Sequence, residues 1–117
     1  MRNDRSNIII DKVVEFSLLL IKYCTVLNQK KFFVIGTQLL RAGTSIGSNI
    51  FEAQNAESKA DFVHKMKIAA KEASETLYWM TLCEKSDGFE FDIQLRTRAE
   101  ELVRIISRII ATAKNKN

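Results

Sequence analysis

From Ile10 to Leu27 apolar residues recur at steps of three and four. Ile10, Val13, Val14, Leu20, Ile21, Cys24 and Leu27, with Ser17 among them, fall on one continuous side of a helix. The pattern predicts a first helix over 7–29. A second apolar set, Ile9, Phe16, Leu19, Tyr23 and Val26, widens the arc past the ~100° stripe that a surface helix of a monomeric bundle buries. The surplus predicts a cover from outside the chain, which makes Ile9, Phe16, Leu19 and Tyr23 candidates for an interface between copies.

Asn28 to Gly36 reads as a connection, and Thr37 as the cap of a second helix over 37–55, because its hydroxyl can satisfy an orphan backbone N–H. Leu39, Ala42, Gly43, Ile46, Gly47, Ile50 and Ala53 form its apolar, small-residue face. Glycine costs ~1 kcal/mol against alanine inside a helix, so two of them one turn apart predict either a close approach by another backbone or a local bend. Ser58 and Asp61 resemble a capping box and start a third helix over 58–85. Phe62, Met66, Ala69, Ala70, Ala73, Leu77, Met80 and Cys83 carry it at helical spacing to the stop at Ser86-Asp87-Gly88. A fourth helix over 92–114 carries Leu95, Ala99, Leu102, Ile106, Ile109 and Ala113, with Lys114 and Lys116 suited to the negative end of its dipole. Four such helices on short links predict one domain, residues 1–117: an all-α, antiparallel, up-down-up-down four-helix bundle.

Composition agrees with this. The 117 residues are 46% apolar and 27% charged, with no proline and four glycines, so the chain has the apolar content to fold and too few turn residues for many strands. No uncharged apolar core of a signal peptide precedes Asp11, Lys12 and Glu15, and Glu15 and Lys22 interrupt the most apolar stretch. A cytoplasmic protein with no membrane partner is expected. Cys24 and Cys83, spaced like neither a zinc site nor a redox motif, read as reduced core thiols. His64 is the single histidine, no Gly-rich loop followed by lysine is present, and no nucleophile or proton-transfer constellation is visible. The expectation is a non-enzyme without metal or cofactor.

The most unusual polar feature is a row on the second helix, Gln38, Arg41, Ser45, Asn49 and Glu52. Two readings fit: a seam that hydrogen-bonds to neighbouring helices or subunits and sets their register, or a surface on which Arg41 and Asn49 meet phosphate or base edges. The net charge is +4 and the pI near 9.2. Lys67 and Lys71 on the third helix and Arg104 and Arg108 on the fourth would be multiplied by symmetry in a ring, and with Arg41 they are the candidate contacts to RNA or DNA.

The run Gln38-Leu-Leu-Arg-Ala-Gly-Thr-Ser-Ile-Gly-Ser-Asn-Ile-Phe-Glu-Ala53, with Ser58-Lys-Ala-Asp-Phe62 and Ala69-Ala-Lys-Glu-Ala-Ser-Glu-Thr76, resembles the four-helix bundle family named for 23S rRNA intervening-sequence proteins. The pattern Arg-Ala-x-x-Ser-Ile-x-x-Asn-Ile-x-Glu spans Arg41 to Glu52. The resemblance implies a homopentameric ring, and it extends to the accessory variability proteins of diversity-generating retroelements, which bind a reverse transcriptase and nucleic acid. Gly47 stands where proline is common in similar proteins, and the charge is milder than that of the retroelement accessories. Together these features predict a ring-forming, nucleic-acid-associated accessory, or alternatively a scaffold that recruits another protein without nucleic acid.

Overall fold

The first helix, α1 (Asp4–Gln29), presents Ile9, Val13, Phe16, Leu20, Cys24 and Leu27 to the core. It is followed by α2 (Phe33–Ala53), α3 (Lys59–Lys85) and α4 (Ile93–Asn115). The computed structural model describes residues 4–88 and 90–115; Lys116, expected at the end of the fourth helix, lies outside them. The described residues are all-α, with four helices and no strand. Each helix packs on two neighbours, α1 on α2, α2 on α3, α3 on α4 and α4 on α1, and no Cα atoms approach within 8 Å across either diagonal. The result is a rod of 51 × 21 × 20 Å.

Leu27, Leu20 and Val13 lie against Gly36, Gly43 and Gly47. Arg41 and Lys65 on one seam meet Glu75 and Glu52, and Arg96 meets Glu84 on the next.

Two parts of the sequence reading are corrected. On α1, Ile9 and Phe16 are fully buried within the chain, and Leu19 and Tyr23 are half-buried against the core. None of these four is therefore the outward apolar strip. That strip is Val14, Leu18, Ile21 and Val26, of which Val14 and Ile21 were expected inside. The helix is apolar on so many sides that its spacing alone admits several rotations, and packing selected the one that buries Phe16, the largest candidate. At the first corner, α2 starts at Phe33 and not at Thr37. Lys31 adopts a left-handed conformation (φ 68°), the Phe32 N–H returns to the Leu27 carbonyl at 2.9 Å, and Phe32 makes no side-chain cap. Gly36, taken as part of the connection, is a buried helical residue lying against Leu27 and Asn28.

The other boundaries follow local chemistry. The Ser58 hydroxyl caps α3 by accepting from the Asp61 N–H at 3.0 Å, while the Asp61 carboxylate accepts from the Glu57 N–H, one residue before the expected partner. Beyond α3, Gly88 sits at φ +89°, a conformation that favours glycine. Asp92 then starts α4, its carboxylate accepting from the Gln94 N–H at 2.9 Å.

Cys24 and Cys83 are free, buried thiols. They sit on α1 and α3, a diagonal whose Cα atoms stay beyond 8 Å, outside the ~4.4–6.8 Å that a disulfide spans. Burial pushes the Cys24 thiol up to about 12 and raises Cys83 as well, so both remain protonated and unreactive. Burial likewise raises the Tyr23 phenol. Its hydroxyl has no hydrogen-bond partner among the described residues.

Gly43 and Gly47 answer differently to the space around them. A methyl built on Gly43 overlaps the Leu20 Cδ2 atom, whereas one on Gly47 would sit 3.4 Å from Val13 Cγ2, in ordinary contact. The close approach expected at Gly43 is thus made by a leucine side chain and not by a backbone. Gly43→Ala is expected to destabilise the fold by about 1–3 kcal/mol, overpacking outweighing the ~1 kcal/mol gain in helix propensity. Gly47→Ala is expected to stabilise it by roughly 0.5–1 kcal/mol. Urea unfolding of both variants checks the pair, and equal destabilisation would contradict this packing.

Candidate functional site

The polar row of α2 turns toward α3 and is almost wholly engaged. The Arg41 Nε donates to Gln38 Oε1 at 3.0 Å. Its guanidinium pairs with Glu75 and lies 3.8 Å from a Glu72 oxygen. On the far side of Glu75, the Trp79 indole N–H donates to the same carboxylate at 3.0 Å. One turn further along α2, the Ser45 carbonyl accepts from Asn49 Nδ2 at 2.8 Å and from the Ser48 hydroxyl at 3.2 Å. Glu52 closes the row with an ion pair to Lys65 at 2.9 Å.

This geometry favours the seam reading. Arg41 faces two carboxylates, so a phosphate would have to displace them. The Trp79 N–H, and after it the Arg41 guanidinium, hold Glu75 below the usual carboxylate range; Glu52 raises Lys65 in turn. These groups are exposed, and pairs of this kind contribute only about 0–1 kcal/mol each. Their chief effect is to fix the register of α2 on α3.

The remaining candidate cations lie elsewhere. Arg104 and Arg108, one turn apart on α4, stand beside Lys12 of α1 along the α1–α4 groove. Lys67 and Lys71 are exposed on α3, and the Lys114 ammonium of α4 beside Lys67 lowers the Lys67 pKa. Arg41, on α2, is across the bundle from Arg104 and Arg108, so the structure does not gather all five into one site. Lys12 was not singled out in sequence and Lys114 was read only as a helix-end charge, since each acquires its neighbours across a helix boundary. His64 is exposed, and no group of three or more metal-ligating side chains occurs among the described residues. No described helix is long and apolar enough to cross a membrane.

The outward apolar strip of α1 borders a shallow groove against α2. Val14 and Leu18 flank it on one side and Phe51 on the other, with Thr44 and Ser48 between them and no charged residue in its lining. Leu18 is 63% exposed. Inter-helix ion pairs cross the other three seams: α2–α3 as above, α3–α4 through Arg96 and Glu84, and α1–α4 through Lys12 with Glu101 and Arg98 with Glu15. Among the described residues none crosses α1–α2.

The family model for 23S rRNA-intervening sequence protein matches residues 5–109. The chain is similar to the crystal structure of a protein of unknown function from the S23 ribosomal protein family of Bacteroides thetaiotaomicron, with a TM-score of 0.83 and 38% identity over 92% of this chain and 98% of that one. No curated protein matches it.

The Glu75–Trp79 contact can be followed directly, because Trp79 is the single tryptophan. A carboxylate whose folded pKa is depressed contributes stability above its unfolded value, which is lost as pH falls through the folded one. Trp79 emission is therefore expected to titrate with a midpoint below the ordinary value of 4.5, and the transition should vanish in Glu75→Gln. A midpoint at or above that value would mean that the indole and guanidinium do not hold the carboxylate.

Proposed function

Because the chain belongs to the 23S rRNA-intervening sequence protein family, we propose that it is a non-enzymatic, cytoplasmic up-down-up-down bundle that closes into a cyclic homo-oligomer, a pentamer, and acts as a nucleic-acid-associated accessory. The observation that carries this reading is the division of its cations. Lys12, Arg41, Lys65, Arg96 and Arg98 are tied to carboxylates of neighbouring helices. On α3 and α4, Lys67, Lys71, Arg104, Arg108 and Lys114 form no ion pair among the described residues, and Lys114 lies near enough to Lys67 to lower its pKa. A polyanion that meets these cations releases its own counterions.

The oligomer is supported by the opposite side of the rod. Val14, Leu18, Ile21 and Phe51 are exposed apolar side chains, and the groove lined by Val14, Leu18 and Phe51 carries no charged residue, a face of the kind that a contact between copies buries. It lies on the α1–α2 side, whereas Lys67, Lys71, Arg104, Arg108 and Lys114 lie on α3 and α4. Copies joined through the first face leave the second free, and cyclic symmetry repeats it.

Light scattering on eluted protein is expected to give a mass roughly five times the chain's 13.4 kDa, and Leu18→Glu should reduce it to that of the chain. At low salt the parent should bind a short single-stranded RNA, with Lys67→Glu/Lys71→Glu weakening binding roughly tenfold or more and flattening its salt dependence. A monomeric parent would overturn the ring, and the absence of RNA binding at low salt would overturn the nucleic-acid role.

A further inference from the structure

The groove between α1 and α4 differs in chemistry from the one between α1 and α2, and we propose that it docks an acidic amphipathic helix of a partner protein. Its volume is about 380 Å³. Ile8, 49% exposed, with Ile105 and Ile109, supplies an apolar floor. Arg104 and Arg108 stand over that floor from α4, separated by one turn, about 6 Å along the axis. From α1, Lys12 reaches across to Glu101 at 3.0 Å. Three cations against one carboxylate leave the groove positive, and that carboxylate is already occupied by Lys12.

Apolar side chains spaced three, four and seven residues apart on an incoming helix would lie along the isoleucines. Carboxylates at the flanking positions would then meet Arg104 and Arg108, whose planar guanidinium groups bind carboxylate through two parallel hydrogen bonds. A phosphodiester backbone satisfies the arginines but offers nothing apolar to three isoleucines. A second copy of this chain, with a net charge of +4, is repelled by a positive groove, whereas the uncharged α1–α2 groove does not discriminate against it. Charge and apolarity together therefore select an acidic, amphipathic occupant. The docking site goes beyond the polyanion reading and does not depend on it, although the two share Arg104 and Arg108; the isoleucine floor is what separates them.

The test uses the full chain and a fluorescent synthetic peptide of roughly 16 residues, with leucine at helical spacing flanked by glutamate, beside a scrambled peptide of the same composition. Anisotropy should show the patterned peptide binding roughly tenfold or more tighter than the scrambled one. Arg104→Glu/Arg108→Glu and, separately, Ile8→Ser should each weaken it by roughly fivefold or more, with unchanged helical circular dichroism. Ile8→Ser should leave RNA binding at the parent level, so the two sites fail or stand separately. Equal binding of the two peptides overturns the proposal, as does binding unaffected by Ile8→Ser, an outcome that makes the groove a polyanion site.

Discussion

Leu20 lies in the notch left by Gly43, and the rotation of α1 about its axis follows from that contact. A leucine at full burial contributes about 1.5–3 kcal/mol when it leaves water, and here its methyl group occupies the volume of a missing Cβ. With Leu20 placed, Val13 falls over Gly47 and Leu27 over Gly36, and Ile9, Phe16 and Cys24 turn into the core. Val14, Leu18 and Ile21 are then necessarily outward. The apolar strip assigned to self-association is thus a consequence of where one buried leucine fits.

Polar contacts act on register more than on stability. The network of Gln38, Arg41, Glu75 and Trp79 and the pair of Glu52 with Lys65 hold α2 against α3. Lys12 and Arg98 do the same between α1 and α4. Exposed pairs of this sort contribute little individually, but a slide by one helical turn would break several together. The same pairing decides which cations are free to meet a ligand, and removes Arg41 from that set although its residue type and its place in the family motif suggested it.

The surface is consequently divided by chemistry along the rod. The α1–α2 groove is lined without charge, α3 and α4 carry Lys67 and Lys114 near each other, and the α1–α4 groove combines isoleucines with arginines. Such a division suits the proposed contacts with copies of the chain on one side and with anionic partners on the other, Arg104 and Arg108 being common to the polyanion and the acidic helix.

Four helices, their order and most of their ends could be derived from the chain itself. Ser58 and Gly88 mark boundaries through local hydrogen bonding and backbone conformation, which depend on a few adjacent residues, and the alternations of α3 and α4 leave one buried side each. That Arg41 and Glu52 could be held by a neighbouring helix was also legible as one of two readings, since a polar row has to be hydrogen-bonded where it is covered. The start of α2 was not legible, because the left-handed turn at Lys31 carries no glycine, asparagine or proline to announce it. Nor was the facing of α1, where Ile9 and Phe16 competed with Val14 and Ile21 on equal periodic terms. Only the tertiary structure could decide that, together with the partners of Arg41 and the meeting of Lys67 with Lys114. Spacing along one helix says which residues share a side, whereas the choice of side and the neutralisation of a charge depend on atoms of another helix distant in sequence.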